Sequence, residues 1–220
     1  MDDKTLIAMR VAQELRPGYL VNLGIGLPTL VASIVPRDAG IFFQSENGIV
    51  GMQATPEEGL EAEDLTDAGG NPISALPGSA TFDSAMSFGL IRGGHLDVTV
   101  LGGLQVDRQG CLANWMVPGS LVPGMGGAMD LVTGARRVIV AMTHTAKGRP
   151  KIVEACSLPL TSTRRVDLIV TELAVIEPTA EGLVLKELAP GVALEAVLRA
   201  TGTPLVVREP VPRMTFSASG

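Results

Sequence analysis

The sequence is poor in the residues that mark several large classes of protein. It has two cysteines in 220 residues, and neither Cys111 nor Cys156 stands in a CxxC or CxxH spacing, which argues against a disulfide framework and against a cysteine-rich metal site. No apolar run reaches the roughly 18 residues that a membrane-spanning helix requires. The first residues, MDDKTLIAMRVAQEL, lack the basic, apolar and cleavage regions of a signal peptide. We therefore expect a cytoplasmic protein with no membrane partner.

Cationic residues are also in the minority. There are 17 Lys and Arg residues against 23 Asp and Glu residues, which gives a net charge of −6, and the cations are scattered rather than gathered in a basic stripe. Because nucleic-acid binding depends on neutralising many phosphates, we do not expect a nucleic-acid partner. His95 and His144 are isolated and have no metal-ligand spacing, so structural roles are favoured for both and no metal site is predicted.

Aromatic residues are few, whereas glycine and proline are plentiful. One Trp, one Tyr and five Phe stand beside 26 Gly and 15 Pro, so the core must be built from aliphatic side chains and many tight turns are expected. Apolar runs that end at turn residues alternate with helical patterns along most of the chain. The predicted helices cover residues 4–15, 26–35, 84–92 (with Asp83 as N-cap) and 192–200, and the predicted strands cover 19–24, 39–44, 97–106, 136–142, 166–173, 174–178 and 182–188.

Strands that alternate with helices predict an α/β fold, an open, mostly parallel sheet with helices on both faces. Hairpin-like sequences at 108–110 and 179–182 predict some antiparallel additions. Residues 51–71 are acidic and short of large apolar side chains, which is typical of a solvated surface loop. No repeat or linker divides the chain, so we expect one domain over residues 1–220, with an extended C-terminal tail from about residue 207.

Three segments could carry chemistry, and the first is NLGIGLPTL, residues 22–30. Gly24 and Gly26 lie between a predicted strand and a predicted helix. Glycine lets a ligand approach the backbone there, and the free N–H groups at the start of a helix can hold a phosphate or a carboxylate. A tight structural turn explains the pattern equally well, since two glycines without a third do not make a dinucleotide fingerprint.

The second segment is QSENGIVGM, residues 44–52, in which Glu46 directly follows an apolar strand and precedes Asn47 and Gly48. Its carboxylate should therefore lie at the carboxyl end of the sheet, where open α/β proteins bind ligands. A partly desolvated carboxylate on a sharp turn can attack an activated acyl group. The alternative is a structural glutamate that accepts hydrogen bonds from the amides of the turn.

The third segment is NWMVPGSLVPGMGGAMDLV, residues 114–132. Met125 stands among Gly124, Gly126 and Gly127, and these glycines can bring several backbone N–H groups to one bound atom, as in an oxyanion hole. The presence of Trp115 in the same segment adds weight to a binding role. A flexible loop that precedes a helix is the alternative.

Together these segments resemble the β subunit of the 3-oxoacid coenzyme A (CoA) transferases, the family that includes succinyl-CoA:3-ketoacid, acetoacetate and 3-oxoadipate CoA-transferases. The likeness extends in order over most of the chain, through the motifs NLGIGLPTL, SENGIVGM, LPGSATFDSA, IRGGHLDVTVLGGLQV, LANWMVPG, GMGGAMDLV, TAKG, LPLT and TELAV. It implies the open α/β sheet of the CoA-transferase superfamily and the activity of a CoA-transferase.

The resemblance also implies roles for single residues. Glu46 in SENG matches the family's catalytic glutamate, Asn22 in NLGIG matches an active-site asparagine, and Gly127 in GMGG matches a backbone donor beside the thioester. The expected site for substrate, CoA and oxyanion is completed by Gly24, Gly26, Asn47 and Gly126. Lys147 and Arg92 could reach the phosphates of CoA, although surface cations of this kind usually only face solvent.

The implied reaction moves CoA from an acyl-CoA donor to a short 3-oxo or related carboxylic acid. It follows ping-pong kinetics through a glutamyl-CoA thioester on Glu46, so CoA is a substrate and a covalent intermediate, and no permanently bound cofactor is expected. A CoA-transferase α subunit is the expected partner, in a heterodimer or a heterotetramer. A non-catalytic acyl-CoA-binding subunit and an acyl-CoA hydrolase on the same scaffold are the alternatives, since a fold does not decide a function.

The chain departs from the family pattern at several positions. Residues 53–55 are Gln-Ala-Thr where the family usually has Gly-Pro after SENGIVGM, and lysines common in the family are replaced by Gly70, Ser120 and Pro123. Fewer cations are therefore left in this chain to hold a substrate carboxylate or the phosphates of CoA. The departures leave the identity of the donor and acceptor acids open.

Overall fold

The computed structural model describes residues 1–119 and 126–216 and arranges them around one large sheet. Its helices are α1 (Asp3–Ala12), α2 (Leu30–Ile34), α3 (Ser84–Arg92), α4 (Ala128–Gly134) and α5 (Leu194–Ala200), and a 3₁₀ turn over Leu27–Thr29 leads into α2. Its strands are β1 (Leu20–Leu23), β2 (Phe42–Ser45), β3 (Ile49–Gln53), β4 (Ser74–Thr81), β5 (Val98–Leu101), β6 (Gln105–Asp107), β7 (Leu112–Ala113), β8 (Arg137–Ala141), β9 (Thr145–Ala146), β10 (Arg149–Pro150), β11 (Ile152–Val153), β12 (Leu168–Val170), β13 (Ala174–Thr179), β14 (Gly182–Leu188) and β15 (Leu205–Val207). None of the helices in these two ranges is long and apolar enough to pass through a bilayer.

The ten-stranded sheet has the order β15-β14-β13-β12-β8-β5-β1-β2-β3-β4. Its centre, from β12 to β2, is parallel throughout, whereas antiparallel pairs are added at both sides. The predicted hairpins at 108–110 and 179–182 are found between β6 and β7 and between β13 and β14. The predicted open, mostly parallel α/β sheet is therefore confirmed.

Helices cover both faces of the sheet, as the alternation of strands and helices predicts. On one face Ile7 of α1 and Val31 of α2 belong to a buried aliphatic cluster. On the other face Ile91 of α3, Leu131 of α4 and Val197 of α5 belong to a second cluster. Each cluster removes many branched aliphatic side chains from water, and this burial is the main force that holds the helices on the sheet.

Strand β8 shows how one sequence supplies both clusters. Ile139 and Ala141 face the cluster beneath α1 and α2, while Val138 and Val140 face the cluster beneath α3 and α4. Successive side chains of a strand point to opposite faces, so a central strand of a sheet that is covered on both sides is expected to be mainly apolar along its length. The buried residues 138–141 of β8, VIVA, fit this pattern.

The structure differs from the sequence-based prediction at several elements. The predicted strand 97–106 is wrong as one element, because β5 ends at Leu101 and β6 belongs to a small separate sheet with β7 and β11. Residues 51–53 belong to β3 rather than to the predicted surface loop, and β4, a mostly exposed edge strand, was not predicted. The first predicted helix ends three residues early, at Ala12, and the second consists of the 3₁₀ turn and the short α2.

The C-terminal segment that follows β15 is docked against the sheet. The Met214 N–H donates to the Leu188 carbonyl over 2.8 Å, and the Leu188 N–H donates to the Pro212 carbonyl over 2.9 Å. The Met214 side chain is buried. The last residues of the described chain therefore extend the pairing at the end of β14.

Candidate active site

A cavity of about 610 Å³ opens at the carboxyl ends of the central parallel strands. The chain passes from β1 to β2 on one side of β1 and later returns to β5 on its other side, so the strand order reverses at β1. Open α/β proteins bind ligands in the crevice outside such a reversal. Residues that follow β1, β2 and β5 all contribute to the wall of this cavity.

Glu46 occupies the turn between β2 and β3. The Gly48 N–H donates to the Ser45 carbonyl over 3.0 Å, and the Phe82 N–H donates to the Gly48 carbonyl over 2.9 Å. Gly48 has φ of +119°, and any β-carbon there would collide with the Phe82 carbonyl oxygen. Only glycine can therefore close this turn, and the turn carries Glu46 from the end of a buried strand to the cavity.

The carboxylate of Glu46 lies against the segment that begins α4. The Gly127 N–H donates to Glu46 Oε1 over 3.2 Å, and a β-carbon on Gly127 would lie 2.5 Å from Glu46 Oε2. Burial raises the pKa of Glu46 above its ordinary value, the hydrogen bond from Gly127 opposes that effect, and the negative charge of Asp130 adds to it. Glu46 is thus a partly desolvated carboxylate with one backbone donor, held at the wall of the cavity.

Asn22, at the end of β1, also lines the cavity and is buried. Its Nδ2 donates to the Gln44 side-chain Oε1 over 2.8 Å and to the Gln44 carbonyl over 3.3 Å. Its Oδ1 accepts a hydrogen bond from Thr99 Oγ1 over 3.3 Å. Both N–H groups of the Asn22 amide therefore already have partners inside the protein.

The residues predicted for the site do not all reach the cavity. The structure brings Asn22, Gly24, Glu46, Gly126 and Gly127 together in its lining. Gly24 lies where β1 meets β5, because its N–H donates to the Val100 carbonyl over 2.8 Å. Of the loop before Gly126, the predicted residues Ser120, Pro123, Gly124 and Met125 lie outside the described residues.

Gly26 and Asn47 are outside the lining, and local geometry explains both differences. Gly26 has φ of +90° and precedes the 3₁₀ turn over Leu27–Thr29. Glycine is favoured there because the backbone changes direction through a conformation that other residues rarely adopt. The Asn47 side chain is exposed, and its Nδ2 donates to the Thr66 carbonyl over 2.9 Å. Asn47 therefore ties the loop of residues 54–73 to the turn that carries Glu46.

The prediction from sequence missed part of the lining. Gly102 and Gly103 follow β5 and form the cavity wall beside Asn114 and Trp115. Asn114 Nδ2 donates to the Gly102 carbonyl over 3.1 Å, and Trp115 Nε1 donates to the Leu160 carbonyl over 3.2 Å. A pair of glycines directly after an apolar strand is the same signal as in NLGIG, and it could have identified residues 102 and 103.

The cavity is nearly free of charge. Among the described residues that line it, Glu46 is the one that carries a charged side chain, and the sequence of residues 120–125, SLVPGM, adds no charge. The remaining lining is glycine, aliphatic side chains, Trp115 and the amides of Asn22 and Asn114. Within residues 1–119 and 126–216 no group of three or more His, Cys, Asp or Glu side chains could hold a metal ion.

The other residues considered from the sequence lie away from this lining. His144 is fully buried between Thr171 Oγ1 and Thr201 Oγ1, each 2.9 Å from a ring nitrogen, and burial lowers the pKa of His144 to about 4. Arg92 forms an ion pair of 2.7 Å with Asp130, and Lys147 occupies the exposed turn between β9 and β10. His144 thus has the structural role that was expected.

Comparison with known sequences gives one consistent family. The sequence profile described as "Coenzyme A transferase" matches residues 4–200. The chain is 52% identical over 221 residues to the beta subunit of acetate CoA-transferase from Haemophilus influenzae, covering all of this chain and 99% of that protein. It is 57% identical over 198 residues to the protein of that name from Escherichia coli K12, with 90% of each chain covered. It is 50% identical to the B subunit of succinyl-CoA:3-ketoacid coenzyme A transferase from Helicobacter pylori, covering 92% of this chain and 98% of that protein.

Solved structures share the fold at lower sequence identity. The apoenzyme of acyl-CoA transferase YdiF from Escherichia coli O157:H7 superposes with a TM-score of 0.76 at 24% identity, over 97% of this chain and 43% of that longer chain. Glutaconate coenzyme A-transferase from Acidaminococcus fermentans gives a TM-score of 0.70 at 20% identity, over 96% and 90%. The decarboxylase AibA/AibB gives a TM-score of 0.75 at 21% identity, over 98% and 90%.

Proposed function

The chain belongs to the coenzyme A transferase family, and on that premise we propose that it is the catalytic β subunit of a CoA-transferase in which Glu46 is the nucleophile. The observation that carries the proposal is the position of Glu46. It is the one charged side chain among the described residues of a cavity at the carboxyl ends of the parallel strands, and it is partly buried beside a backbone donor. This is the setting in which a carboxylate can act as a nucleophile.

The proposed reaction proceeds through two covalent intermediates. A carboxylate oxygen of Glu46 attacks the acyl carbon of the acyl-CoA, the carbon–sulfur bond breaks, and CoA leaves as thiolate from a mixed anhydride. The thiolate then attacks the glutamyl carbonyl carbon, which releases the donor acid as carboxylate and leaves a glutamyl-CoA thioester. The acceptor acid reverses both steps, so no proton or electron is gained or lost overall and the kinetics are ping-pong.

The N–H of Gly127 can stabilise the intermediates of this reaction at Glu46. Each tetrahedral intermediate places negative charge on an oxygen, and a preorganised backbone N–H stabilises that charge in a site from which water is excluded. Exclusion of water also decides between transferase and hydrolase, because water would compete with the acceptor acid for the glutamyl thioester. CoA enters this account as a substrate and as part of the covalent intermediate.

A second subunit is part of the proposal. The relatives from Haemophilus influenzae, Escherichia coli and Helicobacter pylori are named as beta or B subunits, and a name of this kind implies a partner chain. We propose that a CoA-transferase α subunit forms a heterodimer or a heterotetramer with this chain.

The charge of the cavity lining affects which carboxylic acids can be substrates. A carboxylic acid that reaches Glu46 brings one negative charge, which the reaction itself consumes in forming the anhydride. A second carboxylate would stay ionised in a cavity to which the described residues of this chain contribute no cation, and burial of an unpaired charge is costly. We therefore propose short monocarboxylic acids as substrates, 3-oxo acids among them, rather than dicarboxylic acids.

A panel of acids tests both the reaction type and this preference. With an acyl-CoA donor and the complex of the two subunits, we expect CoA transfer to acetate, butyrate and acetoacetate. Succinate, which has the same four-carbon chain as butyrate, is expected to react with a kcat/KM at least about 100-fold lower. This factor corresponds to a cost of about 2.7 kcal/mol for its unpaired second carboxylate. Equal use of succinate and butyrate would contradict the argument from charge.

The same assay without any acceptor acid separates the alternatives. Without an acceptor, a transferase releases the donor acid only in proportion to the enzyme present and keeps CoA in the glutamyl thioester, whereas a hydrolase releases free CoA with every turnover. A non-catalytic acyl-CoA-binding subunit predicts that the activity of the complex does not depend on Glu46. Continuous release of CoA without an acceptor would exclude the proposed transferase.

The pH dependence follows from the raised pKa of Glu46. Only the ionised carboxylate can attack, so kcat/KM should fall on the acid side with an apparent pKa above the ordinary glutamate value of about 4.3. Asp130 contributes to the raised pKa, and Asp130→Asn should therefore move this acid limb to lower pH. The exposed Asp64 serves as a control, and Asp64→Asn should leave the limb in place. An acid limb that moves upward in Asp130→Asn would contradict the assignment of the titrating group.

A further inference from the structure

A chain of hydrogen bonds runs through the interior directly behind Glu46. Thr99 Oγ1 on β5 donates to Asn22 Oδ1 on β1 over 3.3 Å, and Asn22 Nδ2 donates to Gln44 Oε1 on β2 over 2.8 Å. Gln44 Nε2 in turn donates to Ser87 Oγ on α3 over 2.9 Å. All four side chains are buried. One continuous network of side chains therefore joins three neighbouring parallel strands to a helix.

Gln44 also makes a hydrogen bond to the turn that carries Glu46. Its Nε2 also donates to the Ser45 carbonyl over 2.9 Å, and this carbonyl accepts the Gly48 N–H that closes the turn around Glu46. Both N–H groups of the Gln44 amide are thus used, and the side chain is 0% exposed. A buried amide with all of its partners satisfied has one preferred orientation, because any rotation leaves polar groups unpaired.

We infer that Gln44 is a positioning residue for the reaction. It fixes the first carbonyl of the turn that carries Glu46, and it holds the Asn22 amide at the cavity wall. Gln44 itself does not line the cavity, so it acts through these two neighbours. The inference rests on the proposed function, since it takes Glu46 as the nucleophile.

A positioning role has a kinetic signature. When the turn is less firmly held, the Glu46 carboxylate spends less time at the distance and angle from which it can attack the acyl carbon, and misplacement by about 1 Å can cost about 100-fold in rate. CoA and the acid bind largely through other groups. The loss of Gln44 should therefore lower kcat and leave KM nearly unchanged.

Gln44→Met is the test, because methionine has a similar length and no amide. In the complex of the two subunits we expect kcat to fall about 10- to 100-fold, with KM within about twofold of the wild type. The matched control is Thr171→Val, which removes a buried hydroxyl from the separate network around His144. We expect it to lower the unfolding temperature to a similar extent and to leave kcat within about twofold.

The outcomes show whether Gln44 positions Glu46 for the reaction or only stabilises the fold. A wild-type kcat in Gln44→Met, a change in KM alone, or an equal loss of kcat in Thr171→Val would overturn the inference. Glu46→Gln is assayed in parallel to keep the two proposals apart. If Glu46→Gln is active, the proposed nucleophile is wrong; if Glu46→Gln is inactive and Gln44→Met has the wild-type kcat, the positioning role alone fails.

Discussion

Replacement of Glu46 by glutamine is expected to abolish CoA transfer, with kcat lower by at least about 1,000-fold. A neutral amide oxygen cannot form the mixed anhydride, whereas the side chain keeps its size and can still accept the Gly127 N–H through its oxygen. The variant should therefore fold and bind acyl-CoA. Activity is measured as CoA transfer between acids in the complex of the two subunits.

Stability provides a second readout for the same variant. Burial raises the pKa of Glu46, so the folded protein binds this proton more tightly than the unfolded chain does. The ionised carboxylate therefore lowers the free energy of unfolding as the pH rises from about 4.3, the ordinary pKa, through the folded-state pKa. Glutamine removes this cost, and Glu46→Gln should unfold at a higher temperature than the wild type at pH 7 but not at pH 4.

Glu58→Gln is the matched control for the charge change. Glu58 is exposed in the acidic loop between β3 and β4, so its replacement should leave kcat within about twofold and the unfolding temperature nearly unchanged. Substantial transfer activity in a correctly folded Glu46→Gln protein would contradict the proposed mechanism. In that case the cavity would remain a binding site, but its glutamate would have no covalent role.

Replacement of Gly127 by alanine is expected to lower kcat by about 100- to 1,000-fold. The added β-carbon would lie 2.5 Å from Glu46 Oε2, 2.9 Å from Glu46 Cδ and 3.2 Å from Phe88 Cζ. Gly127 has φ of −85° and ψ of 3°, a conformation that alanine can adopt. The backbone can therefore stay in place while the carboxylate must move by about 1 Å, which separates it from both its donor and the substrate.

Gly89→Ala is the control for the added methyl group. Gly89 lies on the exposed side of α3, and a β-carbon there meets nothing within 4 Å. Alanine in a helix is more favourable than glycine by up to about 1 kcal/mol, so this variant should be slightly more stable and fully active. Wild-type kcat in Gly127→Ala would show that the position of Glu46 seen here is not the reactive one.

Much of the architecture could be predicted because the strong signals are local. The buried strands 136–142 and 166–173 are recognised by their unbroken aliphatic runs, and α3 is recognised by its Asp83 N-cap, whose carboxylate accepts the Met86 N–H over 2.8 Å. Glu46 was identified for the same reason, since a charged residue directly after such a run must lie at the end of the sheet.

The features that were missed depend on contacts between distant segments. Strand β4 has the sequence SALPGSAT, which contains Pro and Gly and only one large aliphatic residue, and it forms because β3 offers a free edge for pairing. The break between β5 and β6 occurs at Gly102 and Gly103, and a β-carbon on Gly103 would lie 2.7 Å from Met142 Sδ. Asn47 faces Thr66 instead of the cavity because the returning loop presents a carbonyl there. No local sequence pattern indicates which distant residues these segments contact.

The fold by itself does not decide the chemistry of the site. The decarboxylase AibA/AibB shares the architecture with a TM-score of 0.75 at 21% identity, and relatives near 50% identity are named for acetate and for succinyl-CoA and 3-ketoacids. Function has to be argued from the groups that meet in the cavity. Here those groups are one partly buried carboxylate, a backbone donor and an almost uncharged wall.

The most direct measurement is therefore to identify the covalent intermediate. The complex is incubated with an acyl-CoA in the absence of acceptor acid, a portion is reduced with borohydride, and the peptides are examined by mass spectrometry. The account predicts one molecule of CoA per chain joined through a thioester to the side chain of Glu46, and reduction of that same residue to an alcohol. A complex that transfers CoA at full rate while Glu46 stays unmodified, or that carries CoA on a different residue, would contradict it.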